Sequence, residues 1–449
     1  MKKLICLLLA AMLVLSLAAC GGETNNGETG ETGENQALQE AFEATVPAHP
    51  EAPAEGATDE EILNYRRELV AQQMMYHNSV LWTPDVDIAY SLDWNTMGVE
   101  QDIANGSQNI IQLKAGRIYR GLPYTHGNNS VHAFIDFFSG VDEKGVFTMS
   151  GVGEKHFSGV ADLKPIGCAR LGTDCADAVY WAWAHVSNSI TFKETKNMTR
   201  ITGCLPVGDY VCNDAQYARA TTEILEENGR DKMMECYALL QKADGLVFIN
   251  KNIQGHAVMC MGVNVVRDEN GKIDSSKSYA IILEQQSGGE RVQEAIIDEA
   301  TGLEIYPLDG INVEWSFDKL YSSGYLPVTC QELIDPSPLP EPAVIDPLEN
   351  VNSKNMFSGT ISATRPIASV TLSVYDSNNT KIQEATAYVT AADLPEFGMM
   401  RFSSDIEKGV MHGSYDLKSL AAGEYKCVFT ATLGDGSEIE FRNVPYVVE

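Results

Sequence analysis

The sequence predicts a mixed α+β domain followed by an all-β sandwich, and three observations carry that prediction. A Pro-rich stretch over 334–342 (Ile-Asp-Pro-Ser-Pro-Leu-Pro-Glu-Pro) divides the chain. Beyond it, apolar and polar residues alternate with the period of strands. Before it, capped helical segments intersperse with short strand patterns, which is the composition of a mixed domain.

At the amino terminus, Met1-Lys2-Lys3 precedes an apolar run over 4–17 and the ending Leu17-Ala18-Ala19-Cys20. A positive start and an apolar centre too short to span a bilayer comfortably read as a secretory signal over 1–20. Its ending resembles the bacterial lipoprotein lipobox. The resemblance implies cleavage before Cys20, lipidation of Cys20, and anchoring at the outer face of a bacterial cell membrane. Residues 21–57 are mostly Gly, Glu, Thr, Asn and Ala, with Gly-Glu-Thr repeated at Gly22, Gly27 and Gly30. They read as a disordered acidic tether. The chain carries 62 acidic and 32 basic residues, a formal net charge of −30. Such a balance excludes nucleic acid and an anionic lipid surface as partners, so contact with the membrane is expected through the lipid only.

The first domain, 58–333, opens with Thr58-Asp59-Glu60-Glu61, a capping box, and a helix to about Gln73 with Ile62, Tyr65, Leu69 and Val70 on one side. Residues 86–90 read as a short strand, and 101–113 as a helix or a loop. Gly121-Leu122-Pro123 then fixes an extended turn that presents Tyr124. Gly172-Thr173-Asp174 supplies a turn and an N-cap, and the Ala- and aromatic-rich stretch from Cys175 reads as a mostly buried helix. A thiol placed there can be a nucleophile. The helix N-terminal N–H groups and dipole favour thiolate and can receive an oxyanion.

Helices follow over about 215–227 and 233–240, then strands over 244–250 and 255–263, the second beginning at His256. A hairpin turn at 267–272 returns the chain through a strand over 278–286. A turn centred between Asn270 and Gly271 sets His256 opposite Gln285, so one of Glu284, Gln285 and Gln286 is placed to orient the ring. Cysteine, histidine and a polar residue make a nucleophile, its base and the group that fixes the base's tautomer.

Ten cysteines occur; removing Cys6 with the signal and lipidating Cys20 leaves eight. Their spacing shows no disulfide framework, although Cys204 and Cys212 bracket a loop and are able to pair. Without a CxxC pair no zinc site is expected, and with neither a Walker loop nor a dinucleotide fingerprint no cofactor is implied. Residues 334–350 form the linker. In 351–449, the runs 369–375, 385–389 and 425–431 are period-two strands separated by Asn-, Gly- and Asp-rich turns. About seven strands over a hundred residues suggest an immunoglobulin-like sandwich. His412 stands alone there, as a packing or surface residue.

The ordered set Gly121-Leu122-Pro123-Tyr124, Asp174-Cys175, Gly245-Leu246-Val247-Phe248 and Gly255-His256-Ala257-Val258 resembles the NlpC-type cell-wall cysteine peptidases of the papain-like superfamily, over about 115–290. The resemblance implies a helix packed on an antiparallel sheet and amide hydrolysis or transfer through a thioester on Cys175. His256 would be the base and Glu284 or a neighbour the orienting residue. Tyr124 and Asp174 would serve the substrate and the oxyanion, with cell-wall peptide or another amide as the partner. The family's Ser-Gly after Asp-Cys is replaced here by Ala176-Asp177. A competing expectation is a surface lipoprotein of the same fold that binds a peptide or glycan without turnover.

Overall fold

The computed structural model describes residues 30–48, 50–92, 104–107, 110–125, 127, 129–150, 171–190, 203–212, 220–252, 254–285, 294–299, 301–308, 310–347, 351–389, 399–402 and 410–449. Cys20, the rest of the signal, and Gln286 lie outside them. Within them the chain is α+β and mostly β.

The capping box forms as read. Thr58 accepts the Glu61 N–H, and the Glu61 carboxylate accepts the Thr58 N–H at 2.8 Å. This helix, Asp59–Ser79, outruns its expected end at Gln73 because Met74, Tyr76, His77 and Asn78 are buried. Of 101–113, Ile110–Leu113 is a strand paired with Ile88–Ser91.

The tether expectation is corrected over 30–48, while 21–29 lie outside the described residues. Gly30–Glu43 is a helix, and Leu38 and Phe42 are buried. Phe42 stacks on Tyr76 at 4.8 Å and meets Phe138 and Phe147 at 6.3 and 6.1 Å. An average over 21–57 hides the local pattern: Leu38, Ala41 and Phe42 fall on one helical face and bury together.

A six-stranded antiparallel sheet runs in the spatial order Gly310–Ser316, Tyr279–Glu284, Gly255–Asn264, Gly245–Ile249, Leu326–Cys330 and Cys204–Pro206. The helix Cys175–Ala184 packs on it with all of its residues buried. Four alanines let its backbone approach the sheet, and Gly245 takes Trp183, whose ring atoms would lie 3.0 Å from any added Cβ. The Trp183 indole N–H donates to Ala243 O at 2.9 Å. On the opposite face Tyr237, Leu246, Val258, Phe317 and Leu326 close a second apolar cluster. A further mixed sheet, containing Leu81–Pro84, Ile118–Arg120 and Val146–Met149, packs around Trp82, Tyr119 and Phe134.

The expected linker over 334–350 ends earlier, because Val344–Ile345 already pairs into a sheet with Gly359–Ala363 and Met399–Phe402, which accompanies one ordered Val410–Ser414, Lys381–Tyr388, Ile367–Tyr375, Gly423–Leu433, Glu438–Val448. Ile361 from the first and Val370, Leu372, Val374, Phe429 and Ala431 from the second share one core. The linker itself is held. The Arg66 guanidinium donates to Glu332 O at 3.0 Å, Asp335 O at 2.6 Å and Ser337 O at 2.6 Å. Arg67 pairs with buried Asp244 at 2.8 Å. Tyr388 donates to the Asp136 carboxylate, and His412 packs edge-on against Phe137 at 5.3 Å. Among the described residues, no helix is long and apolar enough to cross a membrane, which leaves β-barrels unaddressed.

Candidate active site

Cys175 stands first in its helix, and the preceding turn admits only glycine at one position. Gly172 has φ +137°, and a Cβ there would lie 2.1 Å from Thr125 Oγ1. The same turn binds the Tyr124 segment. The Thr125 N–H donates to Thr173 O and the Asn129 N–H to Gly172 O, each at 2.9 Å, with Tyr124 bridged to Thr173. Tyr124 is thereby fixed beside the thiol, and its hydroxyl donates to Cys175 Sγ at 3.8 Å.

Asp174 is the N-cap. Its Oδ1 accepts the N–H of Ala176 at 2.9 Å and of Asp177 at 3.0 Å, a bond pattern typically contributing about 1 kcal/mol. A carboxylate accepts and does not donate, so the expected oxyanion role is corrected: Asp174 shapes the helix end and leaves the Cys175 N–H and Tyr124 hydroxyl as donors.

The hairpin brings His256 to this helix end. Its register differs from the expectation by two residues at Tyr279–Asn264 and by one at Ile282–Cys260 and Leu283–Met259, after a bulge between Ile281 and Ile282. The cause is an extra turn on the returning side, where the Ser278 N–H donates to Asp274 O at 2.9 Å. A slip of one residue turns the strand over, so Glu284 lies on the same face as His256 and Gln285 on the other. His256 Nε2 lies 3.1 Å from Glu284 Oε2, and the ring also hydrogen-bonds Cys175. With Nε2 engaged by Glu284, Nδ1 is the nitrogen left for the sulfur. Gln285 turns the other way, fully buried, and donates through Nε2 to Leu122 O at 2.9 Å.

Burial pulls the His256 imidazole down, but the charges of Cys175 and Glu284 reverse this and push it up to about 10. Both charges favour the imidazolium form of His256. Burial, then the charges of Cys175 and Asp174, hold the Tyr124 phenol well above its ordinary value, so it stays a neutral donor. Tyr325, raised by burial and by Glu284 and Cys175, closes the same neighbourhood.

Sequence reasoning missed the residues that tie the parts together. At the end of the Asp59–Ser79 helix, His77 O accepts the Leu122 N–H at 2.7 Å and Asn78 Nδ2 donates to Glu284 O at 2.9 Å. One helix end thus holds the Tyr124 turn and the Glu284 strand. Neither residue belongs to a motif, and contacts of such sequence separation leave no local signal.

The other cysteines stand apart. Among the described residues, Cys175, Cys204, Cys212, Cys236, Cys260, Cys330 and Cys427 form no disulfide with one another, so the possible Cys204–Cys212 pair is not formed. Cys260 is fully buried at mid-strand, and burial pushes its thiol up to about 12. Among the described residues no three His, Cys, Asp or Glu side chains cluster to hold a metal. A cavity of about 750 Å³ lies away from the thiol, between the first domain and the sandwich, lined in part by Tyr76, Asp136, Tyr388 and His412.

No protein-family model matches the chain, and no curated protein matches it. Among solved structures, a tetra-tandem repeat in the extending region of a large adhesion protein is similar over 46% of this chain and 41% of that one. The identity is 12% and the TM-score 0.16, a likeness that carries no argument. The chain thus spans less than half of that structure's length.

Proposed function

We propose that the chain is an exported, Cys20-anchored cysteine hydrolase of the papain-like, NlpC-type class, acting on peptide or amide bonds of cell-wall peptide. One observation carries this reading: Cys175, His256 and Glu284, far apart in sequence, meet in the order nucleophile, base, orienting carboxylate. The Cys175 thiolate, paired with the His256 imidazolium, attacks the amide carbon, and the C=O electron pair moves to oxygen. The Cys175 N–H and the Tyr124 hydroxyl receive that oxyanion. His256 gives its proton to the departing amine as the C–N bond breaks, leaving a thioester. Water then adds, its proton passing to His256, and the C–S bond breaks to release the carboxyl product and restore the thiolate. Glu284 holds the ring with Nε2 turned away from the sulfur.

The test is labelling of Cys175 by a thiol-directed electrophile, with product masses from cell-wall digests treated with wild type and Cys175→Ala. Turnover lost in a folded Cys175→Ala supports the reading. Turnover that survives overturns it, and saturable binding without products points to a binding lipoprotein.

A further inference from the structure

Asp177 lies in the first turn of the Cys175 helix and is 1% exposed. Among the described residues no hydrogen-bond partner is placed at either carboxyl oxygen. Its near neighbour is another carboxyl, that of Asp174, within side-chain hydrogen-bonding reach. Two ionised carboxylates are both acceptors, so this contact becomes a bond only when one of them carries a proton. Asp174 Oδ1 already accepts two backbone N–H groups. Asp177 is buried and Asp174 only partly so; burial therefore disfavours charge more at Asp177, and the proton belongs there.

We propose that Asp177 is a positioning residue, held as the neutral acid, whose O–H donates to Asp174 and so fixes the N-cap on which Cys175 stands. The pair then carries one negative charge beside the thiolate in place of two. The groups that face Asp177 agree: Asp174, Cys175 and Tyr180 from its own helix, and Tyr124 from the segment bridged to Thr173. None is a cation. Burial, then the charges of Asp174 and Cys175, hold the Asp177 carboxyl well above the usual carboxylate range. At this position the resembled family has glycine, so the device belongs to this chain.

The proposal rests on Cys175 being the reactive thiol, and the experiment separates the two. Infrared spectra of the full chain at pH 7 should contain a protonated-carboxyl C=O band that is absent from Asp177→Asn. Alkylation of Cys175 by iodoacetamide, followed by peptide mass analysis, should slow about tenfold in Asp177→Ala, the effect of losing one bond to a charged group. Asp177→Asn, whose amide N–H₂ can still donate, should restore it. Identical wild-type and Asn spectra overturn the shared proton. Equal rates for Ala and Asn in chains of equal melting temperature overturn the positioning role. A wild type that keeps the band but resists alkylation at Cys175 retains the proton, overturns the positioning role and counts against the hydrolase reading.

Discussion

Glu284→Gln keeps the shape of the His256 partner and removes its charge. The wild-type contact is 3.1 Å, between side chains 22% and 9% exposed, so solvent screens it little. An opposite charge at this range shifts a titration by about 1–3 units, so the His256 midpoint should fall from about 10 to about 7–9. At about 1.4 kcal/mol per unit, the carboxylate supplies roughly 1.4–4 kcal/mol to the charged ring. Imidazole ¹⁵N NMR over a pH series reads the midpoint directly. Stability follows with a definite sign. Because the folded value stands above the ordinary 6.5, the His256 contribution is complete below about pH 6.5 and is lost as pH rises through about 10. Wild-type melting temperature should therefore decline across that window, and the Glu284→Gln decline should be shallower and finish earlier. An unchanged His256 midpoint in the variant would refute the assignment of Glu284 as the orienting charge.

Three further outcomes are expected. Tyr124→Phe removes the hydroxyl facing the sulfur and keeps the ring; turnover should drop about a hundredfold with the melting temperature unchanged, and full activity would remove Tyr124 from the oxyanion role. Arg67→Met strands the Asp244 carboxylate, 2% exposed, and should cost about 3–5 kcal/mol by chemical denaturation; a loss below about 1 kcal/mol would show that the Thr329 hydroxyl and the Gln241 N–H, which also donate to Asp244 at 2.7 Å each, suffice. Phe42→Ala should cost about 3–5 kcal/mol, whereas an unchanged midpoint would return the Gly30–Glu43 helix to the tether.

The parts legible in the sequence are those with local causes. Asp174 announces a helix start because its short carboxyl reaches the next N–H groups, and Thr58 with Glu61 does the same. Strand alternation in 367–375 reflects one face turned to a core, with Val370, Leu372 and Val374 buried. Hairpin logic placed His256 and narrowed its partner to Glu284, Gln285 or Gln286; that the ring meets Glu284 was decided by the turn at Asp274–Ser278, which adds residues that no periodicity reports. Phe42 was lost in the average composition of its neighbourhood. Asn78 and Gln285 act across the fold on Glu284 and Leu122, and only the closed chain brings them there.

The double grip of the Asp59–Ser79 helix end, on Leu122 through His77 and on Glu284 through Asn78, has a consequence for biosynthesis. Translation proceeds from residue 78 towards 284 at about 5–20 residues per second, so on the order of ten to forty seconds separate the synthesis of Asn78 from that of the strand it holds. Cys175 is made about halfway through that interval, the His256 imidazole follows, and the Glu284 carboxylate comes last. On the proposed reading, the thiol acquires its chemistry only when Glu284 arrives, and the growing polypeptide stays inert towards amide bonds until then.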